Sequence, residues 1–416
     1  MRDQEPGPAG RRLTTQEAAE LLGVKPETVY AYVSRGHLSS RRVPGGRGST
    51  FDAKEVETLA RRNKRESAAG SGSGGELSVR TGLTFIDTDR YYFRGVDATE
   101  LAARYSYEEV AEWLWTGRLR RGVTFAAPEA SVTAARRAVE ALPEHAGPTD
   151  RLRVAAIAAA AVDPLRFDLS EEAVLGTARI LIPTLVAALT RPGYPYRDEG
   201  SLTHRLWSRL SGQTADEAGL RVLDTALALL VDHDLAASTL AVRVAASARA
   251  HAYAAVSAGL GVIEGPLHGA ASGLAHKLIM EVLDQGDAGP VIAEELRAGR
   301  RIPGLGHRLY PGKDPRARVL FELLEEIPRA EPALAAARDI VATAARHAPL
   351  HANVDLALAV FTASSAMPFT AGETIFAVAR TAGWVAHALE EYGERPLRMR
   401  PSGHYTGPKP PQPLPE

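Results

Sequence analysis

Residues 264–278 read EGPLHGAASGLAHKL. An apolar, alanine-rich pattern ends here, Gly265 and Pro266 interrupt it, and the small residues that follow have the spacing of a new helix. One titratable side chain, His268, stands in the break. A lone histidine in such a place is most simply a structural cap, so its meaning depends on the polar residues that accompany it elsewhere.

Helical periodicity extends to both sides of this stretch. YSYEEVAEWLWTGRL (105–119) spaces Ser106 and Glu109 as a capping box, repeats apolar residues at Val110, Trp113 and Leu114, and stops at Gly117. DLSEEAVLGTARILIPTLVAAL (168–189) and TADEAGLRVLDTALALLVDHD (214–234) behave alike, and the alanine-rich 236–259 offers faces on which helices can approach closely. A continuous parallel-sheet pattern is missing. The expected fold is a large, nearly all-α domain with short connections over residues 79–408.

The N-terminal part differs. SAAGSGSGGELS (67–78) has the composition of a flexible Gly/Ser linker. Residues 1–65 hold 13 Lys and Arg against 8 Asp and Glu, a balance of +5, which leaves −6 for the rest of a chain of net charge −1. Within 1–66, LTTQEAAELLGVKPETVYAYVSRGHL (13–38) reads as two short helices: Thr14 and Glu17 form a capping box, Gly23 breaks the pattern and Pro26 suits a first turn. SSRRVPGGRGSTFD (39–52) reads as two strands around a glycine-rich tip. The segment resembles the excisionase-type winged helix-turn-helix. That likeness implies double-stranded DNA as a partner, with Thr28, Tyr30, Ala31, Ser34 and Arg35 on the recognition helix and Arg41, Arg42 and Arg47 on the wing.

Composition bounds the rest. In 416 residues, 45% hydrophobic and 24% charged, there is ample material for a buried core. The absence of cysteine excludes disulfides and thiolate metal sites. The N-terminus lacks a signal-peptide apolar core, and the longest apolar run, VAAIAAAAV (154–162), is too short to span a bilayer, so a cytoplasmic protein is expected. The proline-rich end, 409–416, is expected to be extended and disordered.

Four stretches carry polar residues that helical periodicity does not require: LVDHDLAAST with His233, EGPLHGAASG with His268, PGLGHRLYPGKDPRA with His307 and Arg316, and HANVDLAL with Asp355. Metal ligation is disfavoured, because no two histidines have the spacing of a helical zinc motif and the neighbouring arginines would repel a cation.

From YYFRGVDATELAARYSYEEVAEWL (91–114) to RPSGHYTGP (400–408) the chain resembles citrate synthase, most specifically in GPLHGA, GLGHRLYPGKDPRA and NVD. The resemblance implies an all-α homodimer whose subunits have a large domain and a smaller lid, here roughly 265–375, with the active site in the cleft between them. It implies condensation of acetyl-CoA with oxaloacetate and hydrolysis of the citryl thioester, with no metal or other cofactor. In that pattern Asp355 removes the methyl proton, His268 donates to the thioester oxygen, and His307 donates to the ketone of oxaloacetate. His233, Arg316 and Arg400 bind the dicarboxylate, while Arg308 and Lys313 are candidates for the CoA phosphates.

The residue types suit that chemistry. A thioester methyl and a carboxylate differ by about 15 pK units, or roughly 20 kcal/mol for a bare enolate. Preorganised donors must therefore stabilise the oxyanion while the base works. A histidine at a helix N-terminus has its pKa lowered by the dipole and stays neutral, able to share a hydrogen bond with an enol oxygen, while Gly265, Pro266 and Gly269 leave room for substrate. Guanidinium forks bind carboxylates bidentately.

Two features depart from the family pattern. LVDHD stands where many members have HADHE, placing Leu230 at a polar position. No arginine follows Arg400, although family chains generally supply one from a C-terminal arm to the neighbouring subunit. Two other readings therefore accompany citrate synthesis. One is 2-methylcitrate synthesis from propionyl-CoA, since one methylene changes pocket affinity by only about 1–3 kcal/mol. The other is a DNA-binding regulator that uses a synthase-like body to sense a metabolite.

Overall fold

The structure, a computed structural model, describes residues 12–22, 24, 28–29, 32–33, 38–42, 49–56, 59, 79–189, 198–265, 268–269, 271–401 and 405–412. The chain divides into two compact units, Met1–Arg80 and Thr81–Glu416.

The first unit contains β1 (Arg12–Thr14), α1 (Thr15–Leu22), β2 (Ser40–Arg42) and β3 (Ser49–Asp52), with the antiparallel sheet ordered β1-β3-β2. The capping box at the start of α1 is present: Thr14 N–H donates to Glu17 Oε2 at 2.7 Å, and Glu17 N–H returns to Thr14 Oγ1 at 3.3 Å. The hairpin pairs Arg41 with Thr50. β1 is an addition to the sequence reading, since three residues are too few to show a period of two. Leu13, Ala18, Val29, Phe51 and Val56 form the small core. Of the expected DNA-facing residues, Thr28 is half-buried. Arg41 and Arg42 are described in their backbone, and Tyr30, Ala31, Ser34, Arg35 and Arg47 lie outside the described residues, as does the linker 67–78.

The second unit opens with a small antiparallel sheet that the helical reading overlooked, β4 (Thr84–Ile86), β5 (Tyr91–Phe93) and β6 (Val96–Asp97). Helices follow: α2 (Ala98–Arg104), α3 (Tyr107–Thr116), α4 (Glu129–Glu140), α5 (Pro148–Ala161), α6 (Glu171–Ala188), α7 (Leu202–Leu210) and α8 (Glu217–Leu230). The capping box on α3 is formed by Ser106 and Glu109, and Gly117 ends the helix in a left-handed conformation, φ 67°. The alanine-rich 236–259 is two helices, α9 (Ala237–Ser247) and α10 (Ala252–Ile263), packed on each other. His251 caps the second through Nδ1, which accepts from the Ala254 N–H at 3.1 Å.

Then come α11 (Ala271–Gln285), α12 (Ala288–Arg297), α13 (Pro315–Glu325), α14 (Glu331–Ala345) and α15 (Val354–Ser364), which pack largely among themselves. The last helix, α16 (Ala371–Tyr392), is buried on nearly every side and touches α3, α6, α8, α9, α10, α11 and α15. Such a helix should be apolar all round. Its Arg380, His387 and Glu391 are therefore conspicuous. Among the described residues no helix is long and apolar enough to cross a membrane. Residues 409–412 are exposed and non-helical; 413–416 lie outside the described residues.

Candidate active site

The loop bearing His307 is fastened to the start of α15, which bears Asp355. Leu305 and Ala352 form an isolated antiparallel bridge, the Asn353 N–H donates to Gly304 O at 3.0 Å, and Asn353 Nδ2 donates to Gly306 O at 2.8 Å. Asn353 also caps α15, its Oδ1 accepting the Asp355 N–H at 2.9 Å. Gly304 has φ +80°, and a Cβ there would lie 2.8 Å from Leu356 Cβ, so only glycine permits this approach. A local motif, NVD, thereby sets the positions of two functional side chains.

Arg316 lies at the start of α13, 2% exposed. Asp314, the N-cap, takes its Nε at 3.0 Å and its Nη2 at 2.8 Å, and also accepts the Val354 N–H at 3.1 Å. Burial works against the Arg316 charge, but the Asp314 carboxylate outweighs it and raises the pKa. The three rings beside it form a cluster: His233 Nε2 is 2.8 Å from Tyr310 Oη, and the His233 and His307 centroids are 5.2 Å apart. Burial, reinforced by Arg316 and Arg380, holds His233 well below the usual histidine range.

His307 is held down to about 4, chiefly by burial and then by Arg316. Its Nδ1 accepts the Leu309 N–H at 3.1 Å, which puts the ring proton on Nε2. That Nε2–H lies 3.3 Å from Arg316 Nη2, another donor. Two donors so close call for an oxygen acceptor between them.

His268 occupies the turn before α11, its N–H donating to Gly265 O at 2.9 Å. Its pKa is pushed down to about 4 by burial first and by the Arg380 charge second. The helix start proposed from sequence as the cause lies at Ala271, three residues on, so desolvation takes the place of the dipole. Gly269 also serves a different end from the one expected: a Cβ there would strike the Ile263 backbone. Trp384 Nε1–H donates to Ser238 Oγ at 3.3 Å, and the same oxygen lies 2.7 Å from His268 Nε2; a hydroxyl proton donated to Nε2 would leave the ring proton on Nδ1.

Asp355 is half-buried, and no hydrogen bond to its carboxylate is present among the described residues. Its pKa is pushed up to about 6, by burial and by Asp314 against the opposing pull of Arg316.

Sequence reasoning missed Arg380. It sits on α16, 1% exposed, with Nε donating to Leu230 O at 2.9 Å and Nη1 without a hydrogen-bond partner among the described residues. Burial and Arg316 push it down to about 10 against the pull of Asp232. At Leu230, where the sequence departs from the family pattern, the contact to Arg380 is made by the backbone carbonyl. Arg380 links the cluster electrostatically, acting on His268 and His233 and feeling Arg316. The one signal in the sequence is an arginine within the otherwise apolar IFAVARTAGWVA.

Arg400 is not brought to these groups. Its segment is pinned to the end of α9, with Leu397 N–H donating to Ser247 O at 2.8 Å, whereas Ser238 lies at the opposite end of that helix; Arg400 itself is exposed. Arg308 and Lys313 are exposed on the His307 loop. Among the described residues no group of three His, Asp or Glu side chains is placed to hold a metal ion.

The family model for the citrate synthase C-terminal domain matches residues 72–402, and a helix-turn-helix domain model matches 12–64. The chain is 32% identical to the citrate synthase of Haloferax volcanii over 368 residues, covering 81% of this chain and 96% of that protein. It is 28% identical to the citrate/2-methylcitrate synthase of Bacillus subtilis, covering 81% and 96%. It superposes on the crystal structure of citrate synthase from Pyrobaculum aerophilum with a TM-score of 0.69 at 25% identity, covering 82% of this chain and 92% of that one.

Proposed function

The chain belongs to the citrate synthase family, and on that premise we propose that His268, His307 and Asp355 are the groups with which it condenses acetyl-CoA with oxaloacetate and releases citrate and CoA. The reaction needs no metal or other cofactor, and acetyl-CoA is a substrate.

The observation that carries this reading is the buried Arg316–Arg380 pair, flanked by two histidines held neutral and by one carboxyl raised toward neutrality. Two buried guanidinium groups near each other suit an anionic ligand, and Arg380 Nη1 has no hydrogen-bond partner among the described residues. A dicarboxylate fits there, with His233 beside it. Its ketone oxygen accepts from His307 Nε2–H, and the same proton passes to the alkoxide as the carbon–carbon bond forms.

Asp355, with a pKa near 6, takes a methyl proton from the thioester. His268 Nδ1–H meets the thioester oxygen as charge develops there, while Ser238 and Trp384 hold the opposite nitrogen. Arg308 and Lys313 are available to the CoA phosphates. In a homodimer the exposed Arg400 is available to a partner subunit's dicarboxylate, and helices α11–α15 make up the lid, roughly 265–375. A cytoplasmic setting suits these substrates.

The test is thiol release from a panel of acyl-CoAs with oxaloacetate. Ordinary turnover with acetyl-CoA that Asp355→Asn abolishes supports the reading; absence of turnover in the intact protein overturns it. Propionyl-CoA belongs on the panel because the similarity to a citrate/2-methylcitrate synthase favours it as a second substrate.

The helix-turn-helix match supports double-stranded DNA as a further partner and, with it, the regulatory reading. Binding by such a head falls steeply with salt. Arg41→Ala with Arg42→Ala should lower both affinity and salt slope, and DNA binding that neither salt nor these changes alters argues against it.

A further inference from the structure

Arg380 is a buried cation, and a buried cation needs a counterion from the fold. Asp232 is the carboxylate whose charge acts on it. It follows the Leu230 carbonyl that accepts Arg380 Nε, and it is itself wholly buried. Gly383, one turn along α16 from Arg380, makes the approach possible, because a Cβ there would come within 2.9 Å of Asp232 Oδ1.

Asp232 does not stand alone. The Thr84 hydroxyl donates to its Oδ2, and His387 Nε2 lies 3.2 Å from its Oδ1. Arg243 Nη1 donates to His387 Nδ1 at 2.8 Å, which leaves the imidazole proton on Nε2, directed at Asp232. Arg243 is held in turn by Glu390 at 2.7 Å and by Glu391 at 3.2 Å, and Glu391 accepts from Arg398 Nε at 2.8 Å. Arg380, Arg243 and Arg398 balance Asp232, Glu390 and Glu391 in charge. Burial pushes the Asp232 carboxyl up, but His387, Arg380 and the Thr84 hydroxyl together hold it below its ordinary range. None of these partners has a role in the chemistry described above.

We propose that Asp232, oriented by His387 and Arg243, is a positioning residue that balances the Arg380 charge in the buried core and keeps the guanidinium aimed at the incoming dicarboxylate. His387 acts only through Asp232. The spacing of residues 380, 387 and 391 puts the groups on one face of α16, so a single helix carries the subsite and its support. This inference rests on the dicarboxylate reading of the site.

The experiment measures thiol-release kinetics and, separately, calorimetric binding of oxaloacetate and malate without acyl-CoA, using the full chain. Asp232→Asn is expected to raise the KM for oxaloacetate 10- to 100-fold while that for acetyl-CoA stays within twofold. His387→Gln, which retains a donor, should lose less than His387→Phe. If Asp232→Asn does not fold, Thr84→Val and His387→Gln carry the test, with an expected rise in KM of two- to fivefold.

An unchanged oxaloacetate KM in the folded variants overturns the proposal, as does an equal loss toward both substrates. If the intact protein releases no thiol but binds a dicarboxylate, the enzymatic reading fails, and weaker binding by Asp232→Asn still upholds the positioning role. Absence of dicarboxylate binding by the intact protein overturns both.

Discussion

Ser238 Oγ and His268 Nε2, thirty residues apart in the chain, lie 2.7 Å from each other, and the Trp384 indole N–H donates to the same hydroxyl. In the proposed mechanism the hydroxyl donates to Nε2 and leaves His268 Nδ1–H for the thioester oxygen. Ser238→Ala removes one hydrogen bond to a neutral ring, worth about 1 kcal/mol, and frees the tautomer. A fall in kcat of roughly tenfold is expected, with the KM for oxaloacetate unchanged. His268→Gln should cost on the order of 10²–10³ in kcat. Steady-state kinetics decide it, and an unaltered kcat in Ser238→Ala removes the relay from the mechanism.

Asp355, raised to about 6, must be ionised to act as a base. The profile of kcat/KM for acetyl-CoA should therefore fall below about pH 6, with unit slope. Asp355→Asn should lower kcat by on the order of 10²–10⁴ while the melting temperature holds or rises, since a partly buried charge is gone. A rate–pH profile flat from 5 to 7 would contradict the assignment.

Stability should follow the histidines. His268 and His307 have folded pKa values of about 4 against an ordinary 6.5, so the unfolded chain binds more protons between those values. Their contribution is complete above 6.5 and is lost as pH falls toward 4. Asp355 has the opposite sign, since its folded pKa lies above 3.8 and the folded chain holds the extra proton up to about 6. Urea titrations between pH 4 and 7 should show stability falling on acidification, more steeply in Asp355→Asn and less steeply in His268→Gln.

Gly304 carries the bridge between the His307 loop and α15 at φ +80°. Gly304→Ala combines a left-handed backbone with a Cβ pressed on Leu356, a cost of about 1–3 kcal/mol. The expected outcome is a matching loss in denaturant stability and a raised KM for oxaloacetate, because His307 and Asp355 shift against each other. A fully stable Gly304→Ala would show that the loop relaxes freely.

Legibility in the sequence tracks distance along the chain. The capping boxes at Thr14–Glu17 and Ser106–Glu109 and the stop at Gly117 are contacts between residues no more than four apart, and each is present as read. His307, on a loop, and Arg316, in the first turn of α13, were legible because one short motif carries both, nine residues apart. The β4–β6 sheet escaped because its strands have two or three residues each, too few to display alternation.

What the chain by itself determined is local: where helices begin and end, and which histidines and carboxylates stand in the breaks between them. Only the tertiary structure decided that Arg380 joins the buried cluster around Arg316, that Ser238 meets His268, and that Arg400 stays apart from these groups. Those outcomes depend on contacts between residues 30 to 155 positions apart. An arginine or serine within an apolar helix has the same local pattern whether it caps, packs or binds. Helix packing then takes it out of water, and its partners there follow from the fold.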